Sequence, residues 1–115
     1  DYPAWTMQRY REAGITFIKQ KGETPIKQAF DIVIGYNVLQ HTEDPQAIVN
    51  NIRKSAKVIH WFDWIETEVS DGHLHNLTAK NMDLWFGGEG KVERVSQFPV
   101  VGLTWYGIFK GDFYE

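Results

Sequence analysis

The sequence predicts an α/β layer fold, and three observations carry that prediction. Apolar, strand-like runs at 15–20, 30–36 and 57–65 alternate with helical segments. Two of those helical segments open on recognisable caps, at Asp44-Pro45 and at Thr78. The chain then closes on two consecutive strand-like stretches, which suit an antiparallel pair. About five strands are expected, with helices on both faces of the sheet.

Taken in order, residues 4–13, "AWTMQRYREA", place Trp5, Met7, Tyr10 and Ala13 at helical spacing, and Gly14 supplies a stop. "ITFIKQ" at 15–20 alternates apolar and polar residues as a strand does, then runs into the loop "KGETP". Phe30 to Tyr36 is continuously apolar through Ile32, Val33 and Ile34, which predicts a strand buried on both faces, as parallel sheets require. Asp44 and Pro45 read as N-cap and first helical residue, and Ile48, Val49, Ile52 and Ala56 form one apolar face behind them. "KVIHWFDWI" at 57–65 is again a strand, followed by the polar loop "ETEVSDGHLHN". Leu77 before the Thr78 cap and Met82 inside form a hydrophobic staple, and Gly87-Gly88 ends that helix. "KVERVSQF" and "LTWYGIFKGDF" then pair as the last two strands, the second rich in aromatic residues.

Composition narrows the function. The 115 residues suffice for one domain, and 43% hydrophobic with 15% aromatic residues is enough to build a core. Fifteen acidic against twelve basic residues, with no Lys/Arg run, leave nothing to neutralise a row of phosphates, so nucleic acid is not the expected partner. The absence of cysteine removes disulfides and thiolate metal sites and suits a cytoplasmic setting. No apolar run approaches the roughly 20 residues that span a bilayer. The chain begins at Asp1 and not at Met, as a processed or partial sequence would.

One stretch carries a resemblance. "FDIVIGYNVLQHTEDP" at 30–45 is similar to the fourth strand, and the segment after it, of class I S-adenosylmethionine-dependent methyltransferases. "GHLHNLTAKNMDLWF" resembles the loop and helix that precede that family's last two strands, and "KGE" stands where the family places an acidic residue near adenine. Together these cover nearly the whole chain. The resemblance implies a partial Rossmann-like sheet and S-adenosylmethionine as cofactor. It also places the family's first strand and its G-x-G-x-G turn upstream of Asp1, so the chain is expected to be a fragment or a truncated relative. The one glycine cluster, "GGEG" at 87–90, follows a helix and precedes a strand, which is the wrong context for that turn.

Candidate site residues follow from strand ends and from the resemblance. Glu23 is a loop carboxylate suited to the adenine amine, against the plainer reading of a solvated acid. Tyr36 and Asn37 end the buried strand, where an aromatic face and an amide meet a cofactor or merely close a turn. By the resemblance, Asp1 corresponds to the acid that bonds the ribose hydroxyls. His41 and His75 are the candidates for a general base, with His41 equally suited to buttress a helix N-terminus. His73-x-His75 lacks further ligands nearby, so no metal is expected. Asp63 and Glu66, at the end of the third strand, point to the same edge, and the tryptophans belong to the core.

Methyl transfer to a small-molecule acceptor is therefore the expected activity of the complete protein. It needs no covalent residue, and the sequence offers no Gly-x-Ser-x-Gly elbow and no cysteine. The rival is a non-catalytic interaction module that kept the sheet and lost the cofactor turn. A nicotinamide-dependent oxidoreductase is disfavoured because its glycine fingerprint is missing. A homodimer is expected, because the strand at 30–36 is left without its family neighbour.

Overall fold

The computed structural model describes residues 4–16, 18, 20–67 and 76–114. In chain order the elements are α1 (Ala4–Glu12), β1 (Phe30–Tyr36), a 3-10 turn (Leu39–His41), α2 (Pro45–Ser55), β2 (Ala56–Ile65), α3 (Ala79–Phe86), β3 (Lys91–Gln97) and β4 (Val100–Lys110). The strands form one mixed sheet in the order β1-β2-β4-β3. β1 and β2 are parallel, with Ile34 opposite His60, and β4 lies antiparallel between β2 and β3. The β3–β4 hairpin turns through a cis Phe98–Pro99 peptide bond.

Local chemistry sets the helix limits. Asp44 accepts the Ala47 N–H at 3.1 Å and Pro45 takes the first helical position, so α2 starts where a donor is satisfied and φ is already fixed. α2 then passes directly into β2 at Ala56. Thr78 accepts the Asn81 N–H at 3.2 Å to open α3. Gly87, at φ 71°, closes it, with Gly88 N–H reaching the Asp83 carbonyl at 3.1 Å.

The core lies on one face of the sheet. Ile48, Val49 and Ile52 of α2 and Met82 and Phe86 of α3 pack against Ile59, Trp61, Ile65, Trp105 and Phe109. Two buried-side carboxylates tie the indoles into it. Asp83 Oδ1 accepts from Trp105 Nε1 at 2.8 Å and from Gly90 N–H at 2.9 Å, and Asp63 Oδ2 accepts from Trp61 Nε1 at 2.7 Å. Trp61 also explains Gly35: a Cβ at that position would stand 2.1 Å from the indole ring.

Three expectations need correction. The sheet has four strands among the described residues and not five, because the described residues of the 15–20 segment, 15, 16, 18 and 20, belong to none. An alternating segment gains its stability from a ladder with a neighbour, and among the described strands β1 is hydrogen-bonded only to β2. Ile15 and Ile18 accordingly remain exposed. Second, β1 is not buried on both faces: Ile32, Ile34 and Tyr36 are 55%, 75% and 67% exposed. Third, α2 and α3 cover a single face, so the helices expected on both are found on one. The opposite face, with Ile34, Tyr36 and Ile108, is open, and α1 buries none of its residues.

Candidate functional site at the carboxyl edge of the parallel strands

Parallel strands direct their carboxyl ends to one edge, and β1 and β2 both stop there on a strained residue. Asn37 follows β1 at φ 53° and Glu66 follows β2 at φ 54°, the two non-glycine residues of positive φ among those described. Such backbone persists only where the surroundings impose it, and it concentrates at binding sites. Here the surroundings are visible. The Asn37 N–H bonds the Phe62 carbonyl at 2.8 Å, and the Glu66 N–H bonds the Leu77 carbonyl at 2.7 Å.

A cleft of about 820 Å³ opens at this edge, lined on one side by Asn37, Gln40, Glu66 and Thr67 and on the other by Trp64, Arg94 and residues 100–103. Its polar rim is a side-chain chain: Gln40 Nε2 donates to Asn37 Oδ1 at 2.5 Å, and Thr67 Oγ1 donates to Gln40 Oε1 at 3.1 Å. Gln40 is only 2% exposed, so these two bonds answer the demand of a buried amide. The 3-10 turn that carries Gln40 is fastened from below by Asp63, whose Oδ2 accepts the Leu39 N–H at 3.3 Å. Burial pushes the Asp63 carboxyl up to about 6, against the opposing pull of the Trp61, Leu39 and Val38 hydrogen bonds and of the His41 charge.

The sequence-derived candidates distribute unevenly about this cleft. Asn37 lines it, and so does Glu66. Tyr36 does not: its ring turns onto the open sheet face and stacks on Phe62 with centroids 4.7 Å apart. There it borders a second, smaller groove of about 630 Å³ with Ile34, His60, Tyr106 and Ile108. Glu23 is half-buried beside α2, where Asn51 donates to its carbonyl at 2.9 Å, and it lines neither cleft. His41 closes the 3-10 turn, exposed, within electrostatic reach of Asp63. Asp1, His73 and His75 lie outside the described residues. Asp63 is the correction: it sits within β2 on the core face, fully buried, and does not follow the strand. Side-chain direction alternates along a strand, so Asp63 shares the core face with Trp61 and Ile65.

Sequence reading missed Gln40, Thr67 and Arg94. A glutamine three residues after Asn37 within an apolar context is a weak signal of a buried amide, whereas Arg94 arrives through the β3–β4–β2 pairing, which no local pattern announces. Among the described residues no group of three or more His, Asp or Glu side chains is placed to hold a metal ion, and no helix is long and apolar enough to cross a membrane.

No protein-family model matches the chain, and no curated protein matches it. Solved structures do. A SAM dependent methyltransferase from Aquifex aeolicus superimposes with a TM-score of 0.55 at 14% identity, over 91% of this chain and 62% of that one. The chain has the fold of part of a SAM-dependent methyltransferase. The N-terminal domain of EvdMO1, solved with SAH bound, gives a TM-score of 0.62 at 13% identity, over 93% of this chain and 58% of that one. The methyltransferase-like chain thus spans about three fifths of the length of these neighbours, and at such identities the likeness is one of fold.

Proposed function

We propose that this chain supplies the carboxyl-edge part of a site for S-adenosylmethionine-dependent methyl transfer to a small-molecule acceptor, in a cytoplasmic enzyme. The observation that carries the reading is the cleft itself, placed where two adjacent parallel strands end on strained polar residues, at the edge where open α/β sheets take their ligands. Its lining suits the cofactor in part. Amide, carboxylate and guanidinium groups from Asn37, Gln40, Glu66 and Arg94 meet polar ends, and Trp64 with residues 100–103 meets apolar ones. A glycine-rich cradle of backbone N–H groups is not among the described residues.

S-adenosylmethionine bound there would supply a methyl group already activated by its sulfonium. The chain's own work is then to orient and to exclude water. Asn37, which lines the cleft, is the proposed cofactor contact, and Asp1 is proposed for the nucleoside end. Glu66 and Arg94 face the acceptor, and His41 or His75 takes a proton where the acceptor must lose one. Calorimetric titration with S-adenosylhomocysteine tests this. The 115-residue chain should bind weakly, and Asn37→Ala should remove that binding while lowering stability by no more than about 1–3 kcal/mol, the cost of the acceptor lost to the buried Gln40 amide and of alanine at a positive φ. Tight binding by this chain alone would overturn the need for a glycine cradle. An absence of binding, in this chain and in a version extended upstream through a glycine-rich turn, would overturn the methyltransferase reading.

One observation favours a second reading, a non-catalytic module that self-associates. Among the described residues β1 has one edge without a paired strand, and its exposed Ile32 and Ile34 straddle Val33. Antiparallel pairing with a second copy about Val33 would set each Ile32 against the partner copy's Ile34 and satisfy both edges.

A further inference from the structure

The carboxyl-edge cleft is lined by two opposite charges that do not meet. Glu66, directly after β2, and Arg94, on β3, both line it and both are exposed. β4 stands between the strands that bring them there: Leu103 pairs with Ile65, the residue before Glu66, on one side and with Arg94 on the other. The two backbones are therefore two strand spacings apart, roughly 10 Å. Among the described residues neither side chain makes an ion pair or a hydrogen bond. The wall beside them is apolar, built from Trp64, Leu103, Val100 and Val101. Val100 and Val101 run past the end of β2 and pair only with β3, which leaves Val101 63% exposed. We propose that the acceptor held in this cleft is a small zwitterion of the α-amino-acid type with an apolar body, its carboxylate on Arg94 and its ammonium on Glu66.

The selection is electrostatic. Glu66 and Arg94 are the two charged residues of the lining, so the cleft as a whole is neutral. A ligand with a carboxylate alone gains Arg94 but meets Glu66, and one with an amine alone gains Glu66 but meets Arg94. A zwitterion answers both. The guanidinium fork takes a carboxylate through two parallel hydrogen bonds, and a carboxylate accepts from the three donors of an ammonium. The neighbouring amides compete little for these groups, because Gln40 is already bonded to Asn37 and to Thr67. Trp64 offers the ligand's body a fixed surface. Phe62 meets its ring edge-on, and Gly102 lies so close beneath it that a Cβ there would stand 3.1 Å from the ring. A cleft of about 820 Å³ is within the range that takes small molecules. The same charged head group occurs at the methionine end of S-adenosylmethionine, so a free amino acid and the cofactor share this chemistry.

The role of acceptor rests on the methyl-transfer reading, whereas the charge pair is tested without it. NMR titration of the isotope-labelled 115-residue chain compares L-phenylalanine with phenylpropanoate, which lacks the ammonium, and with phenethylamine, which lacks the carboxylate. L-Phenylalanine should shift the Trp64 Nε1–H and the Val101 and Leu103 amides, and bind about three- to tenfold more tightly than either analogue. Arg94→Gln should erase the preference over phenethylamine and keep the preference over phenylpropanoate. Glu66→Gln should do the reverse. Equal affinity for the three ligands, no binding of L-phenylalanine, or variants that change both preferences alike would overturn the charge pair. Should a variant not fold, the three ligands on the native chain decide. The version extended upstream through a glycine-rich turn separates the two sources. S-Adenosylhomocysteine and L-phenylalanine bound at once support the acceptor, and displacement of one by the other assigns the pair to the cofactor and overturns the proposal. Charge preferences that persist where S-adenosylhomocysteine does not bind at all uphold the zwitterion site and remove only the methyl-transfer reading.

Discussion

The two faces of the sheet are made by the same strands and draw on the same residue types, but they are finished differently. On the covered face Trp61, Phe86, Trp105 and Phe109 form a continuous cluster, with neighbouring ring centroids 5.0–5.3 Å apart. Each indole there is also fixed by a carboxylate, Trp61 by Asp63 and Trp105 by Asp83. On the open face Tyr36 stacks on Phe62 and Trp64 meets Phe62 edge-on, but Ile34 and Ile108 are largely exposed and no helix of the described residues crosses them. Aromatic content therefore does not mark the core. What marks it is the pairing of each indole with a polar partner and a helix laid over both.

That contrast is most sharply broken or upheld at Trp105. Replacing this fully buried indole by alanine removes its ring contacts and leaves Asp83 with one donor fewer, so Trp105→Ala should cost about 3–5 kcal/mol. That is comparable with the whole stability of a small domain. Phe62→Ala, on the half-buried open side, should cost about 1 kcal/mol. Urea denaturation measures both, and equal losses would show that the open face is as much a core as the other.

Asp63 sharpens the comparison through pH. Its folded pKa, at about 6, lies above the unfolded value near 3.8, so its contribution favours the fold below the lower value and is lost as pH rises through the upper. The loss should reach about 3 kcal/mol. Thermal melts of the wild-type chain should therefore fall between pH 4 and 7 relative to Asp63→Asn, whose midpoint lacks this component. Parallel curves would remove Asp63 as the cause.

Gly35 sits where the two faces meet, in β1 beneath the Trp61 indole. Gly35→Ala drives a methyl group into that ring, and a rigid indole cannot yield without surrendering its bond to Asp63. A loss of about 1–3 kcal/mol is expected, with a change in tryptophan fluorescence. An unchanged melting temperature would mean that Trp61 has room to move. Thr78→Ala, which removes only the cap of α3, should cost about 1 kcal/mol on the same melts.

These residues also show what was legible before the structure. Asp44, Pro45, Thr78 and Gly87 act over three or four residues, and each marks a helix limit where the sequence placed it. β1 was legible to the residue, because turn chemistry bounds an apolar run on both sides. The alternation at 15–20 misled at its described residues, 15, 16, 18 and 20, because alternation describes a strand's faces and says nothing about whether a neighbour is present. At the site, Asn37 and Glu66 were legible as strand ends. Gln40, Thr67 and Arg94 were not, since their placement depends on a turn fastened by Asp63, 24 positions from Leu39, and on a hairpin folded back across the sheet. Local pattern reports what a residue can do, and only tertiary pairing decides where it does so.

The smallest effect on stability attends the change with the largest consequence for the open face. Ile34 is 75% exposed and pairs only through its backbone with β2, so Ile34→Lys should alter folding stability by no more than about 0.5 kcal/mol. If a second copy covers this edge, the same substitution brings a lysine against the partner copy's Ile32 at both ends of a two-fold contact. A charged residue on an edge strand is the common device by which proteins prevent such pairing. Light scattering at micromolar concentration should then give a dimer for the wild-type chain and a monomer for Ile34→Lys, with superimposable melts once the dimer's concentration dependence is allowed for. A monomeric wild-type chain would reject self-association through β1. A variant that stayed dimeric would move the contact away from β1, and the difference between the two faces would then need another explanation.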